Sequence, residues 1–240
     1  MIIEVPAFDG MTLMARFALA GVRPLAMLAV LPSFAGAPLP WRARLAMAAA
    51  LASFTAFGPR AVPLTPEMLP AEALAGLLAG LAVALAFAAA LLAGETVAQM
   101  IGLGFASLGP AGGNVTALSG LFGALMWGAF LASGAHLELF GAVVAGGEVL
   151  PPGQLTLARV TAFGALMFAS GLRLALPIVA VLLLGNALVA IASRSAPQLS
   201  AMAIGPAVLL LGFVWSLPML FDGLWRGMII TLDAGLGLVA

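Results

Sequence analysis

Cysteine is absent from this 240-residue chain, which removes disulfides, thiolate metal sites and cysteine nucleophiles together. Lysine is absent too: all nine basic residues are arginine. Without lysine there is no phosphate-cradling Gly-x-x-x-x-Gly-Lys loop. Histidine occurs once, at His136. One histidine among scattered acids gives a metalloenzyme no ligand cluster. A serine hydrolase would have only His136 as its base, and no Gly-x-Ser-x-Gly elbow is present. Neither catalysis nor a metal or cofactor is expected. Charge of either sign is scarce, at 8% of residues, where a soluble domain carries about a quarter. The net charge is zero, so long-range attraction to nucleic acid has no support.

What the chain has instead is apolar surface, 64% of its residues. Such a sequence could not keep its exterior in water, so it reads as an all-α protein of the membrane or of a membrane assembly. The first ten residues carry Glu4 and Asp9 and no basic residue. That is unlike a cleavable signal peptide, and the first apolar segment, Met11 to Leu31, is expected to stay. Arg16 and Arg23 lie inside it. Facing lipid they would be expensive, so protein, water or headgroups are expected around them. Prolines 32, 38 and 40 make a turn, and Trp41 to Phe57 is the second helix, stopped by Gly58 and Pro59. The third helix begins near Glu72, and Ala73 to Gly94 runs without charge, long enough to span a hydrocarbon core. Gly76, Gly80, Ala84 and Ala88 recur every four residues. They form either a face for close helix approach or a chance spacing in an alanine-rich helix.

The stretch from Gly94 to Pro110 then interrupts the apolar sequence with one carboxylate, one amide and several glycines. A polar break between such helices needs protein or a water-filled cavity around it. Glu95 and Gln99 share a face if the helix continues; they could anchor a loop at a pore or reach headgroups at a helix end. Ile101, Leu103, Phe105 and Leu108, separated by Gly102 and Gly104, form an apolar patch. It could close a channel by filling it or by dewetting, although core packing is the commoner fate at that spacing. A fourth helix is expected from Thr116 to Ala135, ending at His136, read as a satisfied interface histidine. A short amphipathic piece, 137–147, follows, stopped by Pro151 to Gly153. Leu155 to Ser193 is too long for one perpendicular crossing; with Arg173 and Pro177 near its middle it is one kinked helix or two short ones. Asn186 is expected to hydrogen-bond a neighbouring helix. Ala201 to Phe221 is the last long helix, distorted by Pro206 and Pro218, and 222–240 a weakly amphipathic tail. Arg42, Arg44 and Arg194 vote for the cytoplasmic side, a pattern that five or six crossings satisfy.

Taken in order, these pieces resemble the FliR family, the R subunit of the flagellar type III export gate, and its injectisome counterparts. The family's Gly-Glu, Gln-Met-Gly-Leu and Phe-Ala are matched by Gly94, Glu95, Gln99, Met100, Gly102, Leu103, Phe105 and Ala106. Its Gly-His is matched by Ser133 to His136, and its Pro-Pro-Gly by Pro151 to Gly153. Leu-Ala-Leu-Pro follows at Leu174 to Pro177, then Asn186 and the Arg-x-x-Pro-Gln of Arg194, Pro197 and Gln198. Three positions depart from the pattern: Ile101 is inserted before Gly102, Gly109 replaces an acid before Pro110, and Arg173 stands where an apolar residue is usual.

The resemblance implies a non-enzymatic subunit with no cofactor. It would sit in the bacterial inner membrane, in the flagellar basal body, beside P-type and Q-type gate subunits and further export components, and would pass unfolded protein substrates. It implies long kinked helices and helical hairpins, with a P-subunit-like part (1–153) and a Q-subunit-like hairpin (154–240). Ile101, Leu103, Phe105 and Leu108 would be the pore plug, and Glu95, Gln99, Gly102, Gly104 and Pro110 would anchor its loop. His136, Pro177, Asn186, Arg194, Pro197 and Gln198 would serve structure and interfaces. Two alternatives stand beside it. One is an injectisome subunit. The other is a self-contained small-solute transporter, against which no repeat relates the two halves.

Overall fold

The computed structural model describes residues 10–32, 40–57, 65–103, 116–145, 157–195 and 201–237, though not every side chain at the helix ends. Every element among them is helical. Helices α1 (Gly10–Val30) and α2 (Trp41–Phe57) precede a short 3-10 turn and α3 (Leu69–Ile101). Then come α4 (Ala117–Ala132), α5 (Ala135–Ala145), α6 (Leu157–Ser195) and α7 (Ala201–Gly237). An all-α fold of long, apolar helices follows from the composition and is what the structure has.

Helix α3 is the axis of the molecule. It is apolar all round, so it can satisfy its surface only by being enclosed, and α1, α4, α6 and α7 pack around it. The close approach of α1 has a covalent cause. A Cβ on Gly76 would stand 2.2 Å from the Arg23 carbonyl oxygen, and one on Gly80 2.5 Å from that of Met27. The four-residue spacing is therefore a contact face, used by its two glycines; Ala84 and Ala88 are half-buried. Beside it, Arg23 forks onto Glu72 in the first turn of α3, with Nε donating to Oε2 at 2.7 Å and Nη2 to Oε1 at 3.0 Å. Arg23 thus faces protein, while Arg16 is exposed. Arg44, from the first turn of α2, donates to the Ala29 carbonyl at the end of α1.

Of the two readings left open for 155–193, the structure has the single helix: α6 runs through Pro177 to Ser195. Two sequence expectations need correction. The break does not begin at Gly94: α3 runs on to Ile101, and Gly94 is buried inside it. The tail after Phe221 is not separate, because α7 continues to Gly237 through both of its prolines. The reason is the buried stripe Leu209, Phe213, Leu224, Met228 and Leu232. Its spacing passes through Phe221 and Asp222 without a change of phase, and that packing outweighs the hydrogen bonds the prolines remove. Among the described residues three helices are long and apolar enough to cross a membrane, or four if the bent pair α4–α5 is counted as one span. That is fewer than the five or six expected.

Burial is uneven. Of the most apolar window in α3, 56% is buried within the chain, against 22% in α6 and in α7. Leu184, Leu188, Ile191, Leu211, Trp215 and Met219 all point outward from the α6–α7 hairpin. An apolar face this exposed marks a surface for lipid or for other proteins.

Candidate functional site

The centre of interest is where α3 ends and α4 begins. Gly102 closes α3 in the left-handed region, at φ 87°. Its N–H donates to the Gln99 carbonyl at 3.1 Å, and that of Leu103 to Ala98 at 2.9 Å. This pair of bonds is a Schellman cap, which needs a residue tolerant of positive φ at that position. A glycine thus stands where the helix stops.

The returning chain meets α3 about two turns earlier. Thr116 caps α4, its Oγ1 accepting from Ser119 N. Its own N–H and its hydroxyl both donate to Glu95 Oε1, each at 3.1 Å. Glu95 is therefore a carboxylate on the N-terminus of α4, favoured by the helix dipole as well as by two charge-assisted hydrogen bonds. The preceding residue explains why α4 can come so near. A Cβ on Gly94 would lie 2.5 Å from Ser119 Cα and 2.9 Å from Leu118 O. Glycine admits the helix, and the adjacent glutamate holds it. Gln99, one turn on, is exposed and makes no such contact among the described residues.

Of the other candidates, Ile101 is 1% exposed and packed in the core, so in this conformation it roots the segment rather than facing a conduit. Leu103 packs half-buried against the same core. Gly104, Phe105, Leu108 and Pro110 lie outside the described residues, as do Pro197 and Gln198. His136 sits in α5 just past the corner where α4 turns by 63°. Its Nδ1 is 3.3 Å from the Phe130 carbonyl, and its ring meets Phe130 edge-on at 6.0 Å. Phe130 joins Phe87 and Trp127 in an aromatic cluster between α3 and α4. This contact is that of a histidine meeting a carbonyl near the end of α4. Asn186 is half-buried on α6, but among the described residues it makes no hydrogen bond to another helix, contrary to expectation. Pro177 and Arg194 are exposed on the same helix. No group of three or more His, Asp or Glu able to hold a metal occurs among the described residues.

Sequence reasoning missed Thr116 as the partner of Glu95. The signal was present, since a threonine before an apolar run is an N-cap pattern, but nothing local tied it to a residue so far back in the chain.

Comparison with known proteins agrees with the motifs. Residues 14–230 match the family described as bacterial export proteins, family 1. The chain is 36% identical over 149 residues to the flagellar biosynthetic protein FliR of Escherichia coli (strain K12), covering 59% of this chain and 57% of that protein. It is 34% identical over 154 residues to the FliR of Pectobacterium carotovorum subsp. carotovorum, covering 60% of this chain and 58% of that one. The alignment thus spans less than two thirds of each of these relatives. With the family match running over most of its length, the chain belongs to the FliR family, family 1 of the bacterial export proteins.

Proposed function

We propose that this chain is a non-enzymatic subunit of the flagellar type III export apparatus, in the bacterial inner membrane, and that the segment after Leu103 is the stopper of the pore it helps to form. P-type and Q-type subunits would enclose it, unfolded proteins would pass through it, and 154–240 would be the Q-like hairpin. The observation that carries the reading is the Glu95–Thr116 latch. It fixes one foot of the segment against α3, while the Gly102 cap fixes the other about two turns further on, roughly 12 Å away along the helix. The chain between the feet, residues 104–115, is longer than that gap requires. A held pair of feet with surplus chain between them suits a segment that must both block and yield. The exposed apolar face of α6 and α7 supports a place among companion subunits, and the named relatives, both flagellar, support that apparatus over an injectisome.

Two substitutions test this. Phe105→Ser is expected to let ions leak through the resting pore, measured as membrane permeability in cells expressing the variant; unchanged permeability and unchanged export would remove the stopper. Glu95→Ala takes away charge-assisted hydrogen bonds worth about 1.5–3 kcal/mol each and is expected to leak as well. Glu95→Gln, which keeps an acceptor for Thr116, should leak less. Equal leakage from both Glu95 variants would mean that the latch does not govern closure.

A further inference from the structure

We propose, resting on the function given above, that Arg173 receives a carboxylate from outside the chain: a glutamate or aspartate on an apolar helix of a companion subunit, laid across the groove between α6 and α7. The groove has a volume of about 350 Å³. Among the described residues Arg173 is the one charged group that lines it, and no acid does. Arg173 is exposed and makes no ion pair among the described residues. Glu72 is committed to Arg23 and Glu95 to Thr116, while Asp222 and Arg226 do not line the groove. Ser170, three residues earlier on the same helix face, is 6% exposed and lines the groove too. Its hydroxyl has no partner among the described residues. Thr231 already donates its hydroxyl to the Gly227 carbonyl, so the donors on offer are the guanidinium and Ser170. Apolar side chains line the rest, Leu174 and Ile230 next to these polar groups and Ile178 and Met219 further along.

Two arguments make the missing anion a protein carboxylate. The first is the surface around the arginine. Phe168, Leu172 and Leu176 of α6 are more than half exposed, as are Met219 and Ile230 of α7. An apolar surface of this kind is one that a partner covers. A cover without charge would bury the guanidinium unmatched, and an unmatched buried charge is strongly destabilising. The cover must therefore bring its own anion. The second argument is the donor set. A guanidinium fork gives a planar carboxylate two parallel N–H bonds, and the serine hydroxyl gives a third. A free phosphate has more oxygens to satisfy than these donors reach, and no apolar body to meet the rest of the groove. A carboxylate within an apolar helix has the converse need, since packing that helix away from water requires a cation beside it.

The chain contains no lysine, so Arg173→Lys keeps the charge and introduces the one side-chain amine. The variant is coexpressed with its companion subunits, extracted in dodecyl maltoside and treated with dicyclohexylcarbodiimide, which joins an amine to a touching carboxylate as an amide. Fragments are then mapped by mass spectrometry. The expected product links position 173 to a glutamate or aspartate in an apolar helix of a companion. Wild type should not give it, nor should Arg16→Lys, an exposed position outside the groove. Arg173→Leu should lower the amount of companion recovered with the chain about tenfold, from loss of charge-assisted hydrogen bonds. Ser170→Ala should lower it about threefold, from loss of one hydrogen bond. Gly223→Phe is a charge-neutral block: Gly223 lines the groove, and a Cβ there meets nothing within 4 Å. The ring should fill the groove without disturbing the fold and should lower recovery as Arg173→Leu does. No adduct, with companions recovered in full from both Arg173→Leu and Gly223→Phe, overturns the proposal and leaves the function above standing. A wild-type chain that brings down no companion overturns both. An adduct to Glu4, Asp9 or Glu148 of the chain itself overturns the proposal as well. So does loss of bound phospholipid phosphorus from Arg173→Leu with companions unchanged, which would assign the arginine to a lipid.

Discussion

Replacing Gly94 with leucine is expected to part α3 from α4 and, on the function proposed above, to abolish export. The missing Cβ is the space in which α4 sits, with Ser119 Cα 2.5 Å and Ser119 N 2.9 Å from where it would be. Both neighbours are backbone, so no rotamer change can relieve the contact. Nor can the first turn of α4 shift alone, because Ser119 N is bonded to Thr116 Oγ1 and Thr116 to Glu95. Overpacking a tight core costs about 1–3 kcal/mol for small additions. Gly94→Ala should fall in that range, and Gly94→Leu well beyond it. The glycine at position 120, one turn into α4, provides the control, since a Cβ there meets nothing within 4 Å. Gly120→Ala should leave stability unchanged or slightly raised. Thermal unfolding in detergent, read by tryptophan fluorescence, and the swimming halo of complemented cells measure the series. A Gly94→Leu protein as stable and as active as wild type would show that the two helices do not need this contact.

The second large effect is expected at the ion pair between α1 and α3. The side chain of Arg23 is 7% exposed and that of Glu72 16%. Removing one member of such a pair leaves the other charged, largely desolvated and unmatched, which costs about 3–5 kcal/mol. Arg23→Leu should therefore unfold or loosen the α1–α3 contact, with Gly76 and Gly80 losing their backbone neighbours. Arg23→Leu with Glu72→Leu should recover most of the loss, because a buried pair contributes little over apolar residues of similar volume. The same unfolding measurement decides. If the double variant is as unstable as the single one, the penalty comes from the packing of the arginine stem and not from an orphaned charge.

Some elements were legible from the chain because their causes are local. The ends of α2 are marked by Trp41 and by Phe57 before Gly58. Gly76 and Gly80 offered a close helix face as one of two readings, and the structure has that face. Arg23 inside an apolar run implied protein, water or headgroups around it, without deciding which. Errors arose where a local breaker competed with packing elsewhere. A separate tail was expected after Phe221, but α7 is held on to Gly237 by buried residues whose value depends on the helices beside them. Gly94 read as the start of a break for a similar reason. A glycine that admits another helix and a glycine that ends its own are the same letter.

By itself, then, the sequence determined the helical class, because this follows from composition and from short-range periodicity. Its ordered motifs determined the family as well. Only the tertiary structure decided that Glu95 closes on Thr116, that Arg23 closes on Glu72, and that Arg173, Ser170 and Thr231 share one groove. Glu95 with Thr116, Arg23 with Glu72, and α6 with Thr231 of α7 each join residues far apart in the chain. The chemistry of each side chain was written in order along the sequence, but its partner was set by which helices α3 could gather around itself.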